Sequence, residues 1–284
     1  MPMRGAWGLA AIVTACACAV GGCHFPNGRS PGMTGVNSLP PAVPAEGVYL
    51  ESVLLERPLG DRFLDRDLWA VTLPVGTPEG RALLGENGLR AGVLAGTPPP
   101  QLRKLLESES EALRARALTF ANRKEDVLPT AGPHPTAEFG LRAELAGARE
   151  AVELRQATGG VLVRPATDGG RVRVWCEPQF QHGERQERFR PSADGTGWVR
   201  FTEVPLARYP ALGFEASLGR DEYLLIGWDA SQPDTLGEAL FGVQAADQPR
   251  QRVLVVRARQ PNPAPAAPPG ARRGSIAAEA ARTR

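Results

Sequence analysis

Two hydrophobic periods run along the chain, and the change from one to the other divides it. Between Gly47 and Ala121 both occur. "VYLESVLLE" and "LRAGVLAG" are short apolar runs that predict strands, while "DRFLDRDLWAV" spaces Phe63, Leu64, Leu68 and Trp69 at helical intervals behind Asp61, a candidate cap. "TPEGRALLGENG" signals both ends of a helix, with Thr77 as N-cap, Pro78 at the first helical position, and Asn87 and Gly88 at its close. "TPPPQLRKLLESESEALRARAL" predicts a longer amphipathic helix with Leu102, Leu105, Leu106 and Leu113 on one face. A two-layer module, a helix pair on a small sheet, follows from these elements.

From about Leu118 to Arg259 the period is two. "GGVLVRPATDGGRVRVWCEPQF" predicts two strands joined through "TDGG", and "FEASLGRDEYLLIGW" a second pair joined through "GRD". "TLGEALFG" reads as one or two helical turns and "RQRVLVVRAR" as a buried final strand. The expected fold class is α+β: a small mixed α/β module over 47–121, then an antiparallel β-rich domain over 122–259.

The ends have a different pattern. Arg4 is the first side-chain charge, and an uncharged run from Gly5 to Cys23 follows, with Leu9, Ile12, Val13 and Val20 among small residues. That is the pattern of a secretory signal peptide over residues 1–22; a retained anchor helix is the alternative, since a span needs ~20 mostly apolar residues. "VGGC", Val20 to Cys23, resembles the lipobox of bacterial lipoproteins, which implies a diacylglyceryl thioether on Cys23 and export to a membrane surface of the cell envelope. Cys16 in "VTAC" is the alternative, but the chain after it is still apolar, whereas "HFPNGRSPG" follows Cys23 at once. Several acyl chains at ~0.8 kcal/mol per buried CH₂ suffice for stable anchoring. Residues 23–46 and 260–284 are rich in Pro with Gly or Ala, and read as a disordered tether and a disordered Pro/Ala/Arg-rich tail.

Charge and cysteine content narrow the partners. A formal net charge of +2 over 284 residues, with no basic stripe interleaved with aromatics, does not imply nucleic acid. Of the 4 cysteines only Cys176 lies beyond the leader and lipobox, so an intramolecular disulfide is not expected.

"GGVLVRPATDGGRVRVWCEP", "FEASLGRDEYLLIGW", "LGEALF" and "RVLVVRAR", in this order, resemble the C-terminal core of the secretins, ring proteins of type II and type III secretion and type IV pilus systems. Val163 to Pro165, Asp221 to Gly227, Leu236 to Phe241 and Val253 to Val256 hold the matching places. The resemblance implies a secretin-like β domain over 122–259 and a secretion or envelope context. Trp228 replaces the family's second glycine, the closing strand lacks Thr-Pro, and Glu184, Arg185, Glu187, Arg188 and Arg190 fall on both faces of any strand drawn through "QHGERQERFRP". A membrane barrel needs segments of roughly ten residues with one apolar face, so no pore is expected from this stretch.

Chemistry-bearing residues do not converge in the sequence. Cys176 and His182 stand six strand positions apart, about 20 Å at ~3.3 Å each, and alternation puts Val172, Val174 and Cys176 on one face, so the thiol is expected in the core. His24, His134 and His182 show no HExxH or i, i+4 partner, which implies no metal, and "GENGLRAGVLAG" lacks the spacing of a phosphate loop, so no cofactor is implied. Trp175 and Trp198, placed on adjacent strands, together with Arg185 and Arg188, form the candidate interaction patch. Three functions follow: a non-enzymatic lipid-anchored envelope protein acting through protein contact, a surface-exposed ligand-binding β module, or a secreted hydrolase.

Overall fold

The computed structural model describes residues 47–120, 124–192, 194–245 and 247–259, all within one compact unit. The segment read as a signal peptide, with Cys16, the segment read as a tether, with Cys23, and the segment read as a tail lie outside the described residues.

In chain order the elements are β1 (Val48–Pro58), a π-helical turn (Phe63–Asp67), α1 (Leu68–Ala70), β2 (Leu73–Pro74), α2 (Pro78–Glu86), β3 (Leu89–Leu94), α3 (Pro100–Glu107) and β4 (Ala112–Phe120). Then come β5 (Asp126–Pro129), β6 (His134–Leu141), β7 (Glu150–Asp168), β8 (Arg171–Gln181), β9 (Gln186–Pro191), β10 (Trp198–Glu203) and β11 (Leu206–Arg208). A 3-10 turn (Pro210–Leu212), β12 (Phe214–Leu218), β13 (Tyr223–Trp228), α4 (Leu236–Phe241), β14 (Gly242–Val243) and β15 (Arg250–Arg259) complete the series. The class is α+β and β-rich, with antiparallel strand pairing.

Local signals hold where they are strong. Asp61 Oδ1 accepts from the Leu64 N–H at 3.1 Å, and Thr77 Oγ1 accepts from the Gly80 N–H at 3.1 Å. Gly169 and Gly170, at φ +51° and +89°, form the two-residue turn that sets Asp168 opposite Arg171.

One seven-stranded sheet runs β2-β3-β13-β15-β1-β4, with β14 also on β15. Its central strands alternate between two cores. Leu224 and Ile226 of β13 and Leu254 and Val256 of β15 face a second sheet; Leu225, Val253 and Val255 face Leu64, Leu68 and Leu102 of the helical turns and α3. Both faces are covered, which is why these strands read as continuous apolar runs and not as alternation. The second sheet, β11-β8-β7-β5 with β12 on β8 and β6 on β7, packs Val161, Val163, Val172, Val174 and Phe214 against the first. The architecture is helices, sheet, sheet.

Three expectations are corrected here. The division near 121 does not separate two folded bodies: β1 and β3, from the first region, hydrogen-bond β15 and β13 from the second. The long helix after Pro100 stops at Glu107, and "ALRARALTF" is strand β4, because the outer edge of β1 offers a ladder from Val48↔Phe120 to Leu55↔Ala112, interrupted by one register shift between Ser52 and Leu54. Ala, Leu and Arg favour helix, but propensity of a few tenths of a kcal/mol per residue yields to that pairing. Finally, β12 and β13 are not a hairpin. The residues between them cross from the second sheet to the first, held by Glu222, whose Oε2 accepts from the Gly219 N–H at 2.8 Å and from Arg171 at 2.6 Å.

Candidate functional site

The charged segment after β8 folds as a two-stranded ribbon, β9 with β10, paired to no other strand. Its register sets Trp198 opposite Pro191 and Arg200 opposite Phe189, so Glu187, Phe189, Pro191, Trp198, Arg200 and Thr202 share one face. The other carries Arg188, Arg190, Val199, Phe201 and Glu203. Ion pairs lie on both faces, Arg200 to Glu187 at 3.2 Å and Arg188 to Glu203 at 3.8 Å, and the Arg190 guanidinium sits 5.4 Å from the Phe201 ring centre. Phe189 is 63% exposed and Trp198 72%. At the tip, Asp194 accepts from the Ser192 hydroxyl at 2.5 Å and the Thr196 hydroxyl at 2.7 Å, which holds its carboxyl down at about 2.

The expected patch is only partly assembled. Arg185 is exposed just before β9, and Arg188 lies on β9 itself, on the face opposite Trp198. Trp175 stands on β8, whose partners are β7, β11 and β12, so the two tryptophans are not on adjacent strands. The Trp175 ring is half-buried over Gly213, where any Cβ would collide with it. Strand neighbours depend on long-range pairing that periodicity does not encode, and the ribbon breaks away from the sheet that β8 belongs to.

Cys176 is in the core as alternation predicts, with no exposed surface, and burial pushes its thiol well above the usual range. Native protein should therefore react slowly with a thiol reagent and rapidly in denaturant, since the thiolate is the reactive form. Stoichiometric labelling of the native chain within seconds would contradict this placement.

A cleft of about 410 Å³ that no sequence motif marked opens between β6, α4 and β14. His134, Thr136 and Glu138 of β6 form one wall; Asp234 and Glu238, from the start of α4, form the other. Thr235 caps α4, accepting from the Glu238 N–H at 3.4 Å, and Glu238 Oε2 accepts from the Asp234 N–H at 2.7 Å. Arg252 at the inner end donates to Glu56 at 2.8 Å and to the Thr130 carbonyl at 2.8 Å. His134 Nε2 is buried without a partner among the described residues, and burial together with nearby Arg252 pushes the imidazole below its ordinary value, towards the neutral form. The "TLGE" stretch carries the capping signal, but the two walls are about 100 residues apart in the chain, and only the fold brings them together.

No family model and no curated protein matches the chain. Among solved structures it is similar to the secretin-domain β-barrel of InvG from the Salmonella SPI-1 injectisome NC base, at 11% identity and a TM-score of 0.18. The similarity covers 78% of this chain, which spans 64% of that one.

Proposed function

We propose that this protein is a lipid-anchored component of the bacterial cell envelope, secretin-related or associated with secretion, that acts by protein contact without catalysis and without a pore of its own. The observation that carries the reading is the β9–β10 ribbon, which holds Phe189 and Trp198 in water on one face and pairs with no other strand among the described residues. An isolated two-stranded hairpin is marginally stable in water, so exposed aromatic rings held on one suit a surface completed by another protein. The same ribbon argues against a barrel wall. Arg200 and Glu187 charge one face, Arg188, Arg190 and Glu203 the other, and each Arg turned to lipid at the midplane costs about 2–4 kcal/mol. The anchor rests on the lipobox resemblance at Cys23.

Both halves are tested in cells. Cys23→Ser should move the protein from the membrane fraction to the soluble one, and acyl groups found on Cys16, or an intact Met1, would overturn the assignment. A photo-crosslinker at Trp198 should give a discrete adduct where the same probe at exposed Gly169 gives none. Equal background from both positions would remove the ribbon as the contact surface.

A further inference from the structure

The cleft beside α4 borders a strand edge that is not used. β6 pairs with β7 along one side, from His134↔Ala157 to Leu141↔Glu150. Gly140 turns its N–H the other way, donating to the Asp234 carbonyl at 2.8 Å, and makes an isolated parallel bridge with Thr235. In an antiparallel pair, alternate residues direct both main-chain groups to the same side, so Thr136 and Glu138 aim their N–H and C=O where Gly140 does. Among the described residues nothing pairs with these four groups. Asp234 and Thr235 thus close one end of the edge as a one-residue strand, and the cleft occupies the rest, about 13 Å from His134 to Glu138 at ~3.3 Å per residue.

We propose that this cleft receives an extended segment of a partner polypeptide bearing Lys or Arg side chains, which adds as a strand to the free edge of β6. Unpaired strand edges template this pairing, with main-chain bonds supplying affinity and flanking side chains the selection. Charge selects the occupant. Glu138, Asp234 and Glu238 line the cleft; the lining cation, Arg252, is already bonded to Glu56, and neutral His134 adds none. A basic side chain every second residue would reach these carboxylates while the main chain follows β6. The site is separate from the ribbon and does not depend on its role.

The test is fluorescence anisotropy with the full chain and two labelled peptides, Lys-Val-Lys-Val-Lys-Val and Glu-Val-Glu-Val-Glu-Val. The basic peptide should bind at least tenfold tighter. Thr136→Pro removes an N–H that β7 does not use, an edge position where proline is tolerated, and should weaken binding at least tenfold with an unchanged urea midpoint. The double variant Asp234→Asn with Glu238→Gln should reduce the preference to about twofold. If Thr136→Pro fails to fold, two basic peptides, one N-methylated on its lysines and one on its valines, test the same bonds from the ligand side for antiparallel and parallel addition respectively. Failure of both peptides to bind, equal binding of both, or indifference to the proline and to N-methylation would each overturn the proposal. So would self-association of the protein that Thr136→Pro abolishes, which would give the edge to a second copy of this chain.

Discussion

Phe180→Ala is expected to lower the unfolding free energy by about 3–5 kcal/mol, the range for deleting a buried aromatic ring. The side chain is fully buried, stacks on Phe139 with centres 5.6 Å apart, and Phe139 in turn meets the edge of Tyr209 at 6.1 Å. Opposite Phe180 on β7 is Gly159, where an added Cβ would come within 2.8 Å of the ring. The cavity would therefore be walled in part by sheet backbone, which collapses little. Marginal stability of about 5–15 kcal/mol makes this a large fraction of the total. Equilibrium urea unfolding is the measurement, and a loss below about 1.5 kcal/mol would show that the two sheets close over the void.

The second large effect is expected at Gly237. A Cβ there would overlap the carbonyl of Gly88, which itself accepts from the Asp229 N–H at 2.8 Å, while the Gly237 N–H donates to the Asn87 carbonyl at 2.9 Å. The nearest obstacle is the Gly88 main chain, which cannot rotate away. Asn87 is fully buried; its Nδ2 donates to the carbonyls of Leu83 at 2.9 Å and Arg142 at 2.8 Å, and its Oδ1 accepts from the Arg142 N–H at 2.8 Å. This knot ties the end of α2 to the residue after β6 and to α4. Gly237→Ala should destabilise by about 3 kcal/mol, at the upper end of overpacking, and displace α4 from the cleft. Gly85→Ala, in α2 with nothing within 4 Å of the new Cβ, should instead stabilise by about 0.5–1 kcal/mol. Equal thermal shifts for the two substitutions would refute the close-approach argument.

These residues also mark how far the sequence could be read. Thr77, Asn87 and Gly88 announce α2, and "LLIGW" and "VLVV" announce buried strands, because caps, turns and hydrophobic runs are local signals. Cys176 was legible for the same reason: its neighbours alternate. The partition of β12 and β13 between two sheets was not, since a short Gly-containing connection reads as a hairpin until the pairing of each strand is known. Nor was β4, whose residues prefer helix and become strand only because β1 lies beside them. At the candidate sites, exposure of the ribbon's charges followed from composition, whereas the separation of Trp175 from Trp198 and the meeting of β6 with α4 depend on contacts between distant residues.

The pairing of β1 with β15 bears on how the molecule reaches this structure. Leu54 stands opposite Leu254, a separation of 200 residues (254 − 54), and both strands lie in the interior of the larger sheet. Closing so long a loop is entropically unfavourable before any contact rewards it, so folding should be slow for the chain's size and governed by contact order. Until β15 has been synthesised, β1 and β13 each lack a neighbour. The larger sheet can therefore form beforehand only as two separate parts, β1 with β4 and β13 with β3 and β2, and β15 is the strand that joins them.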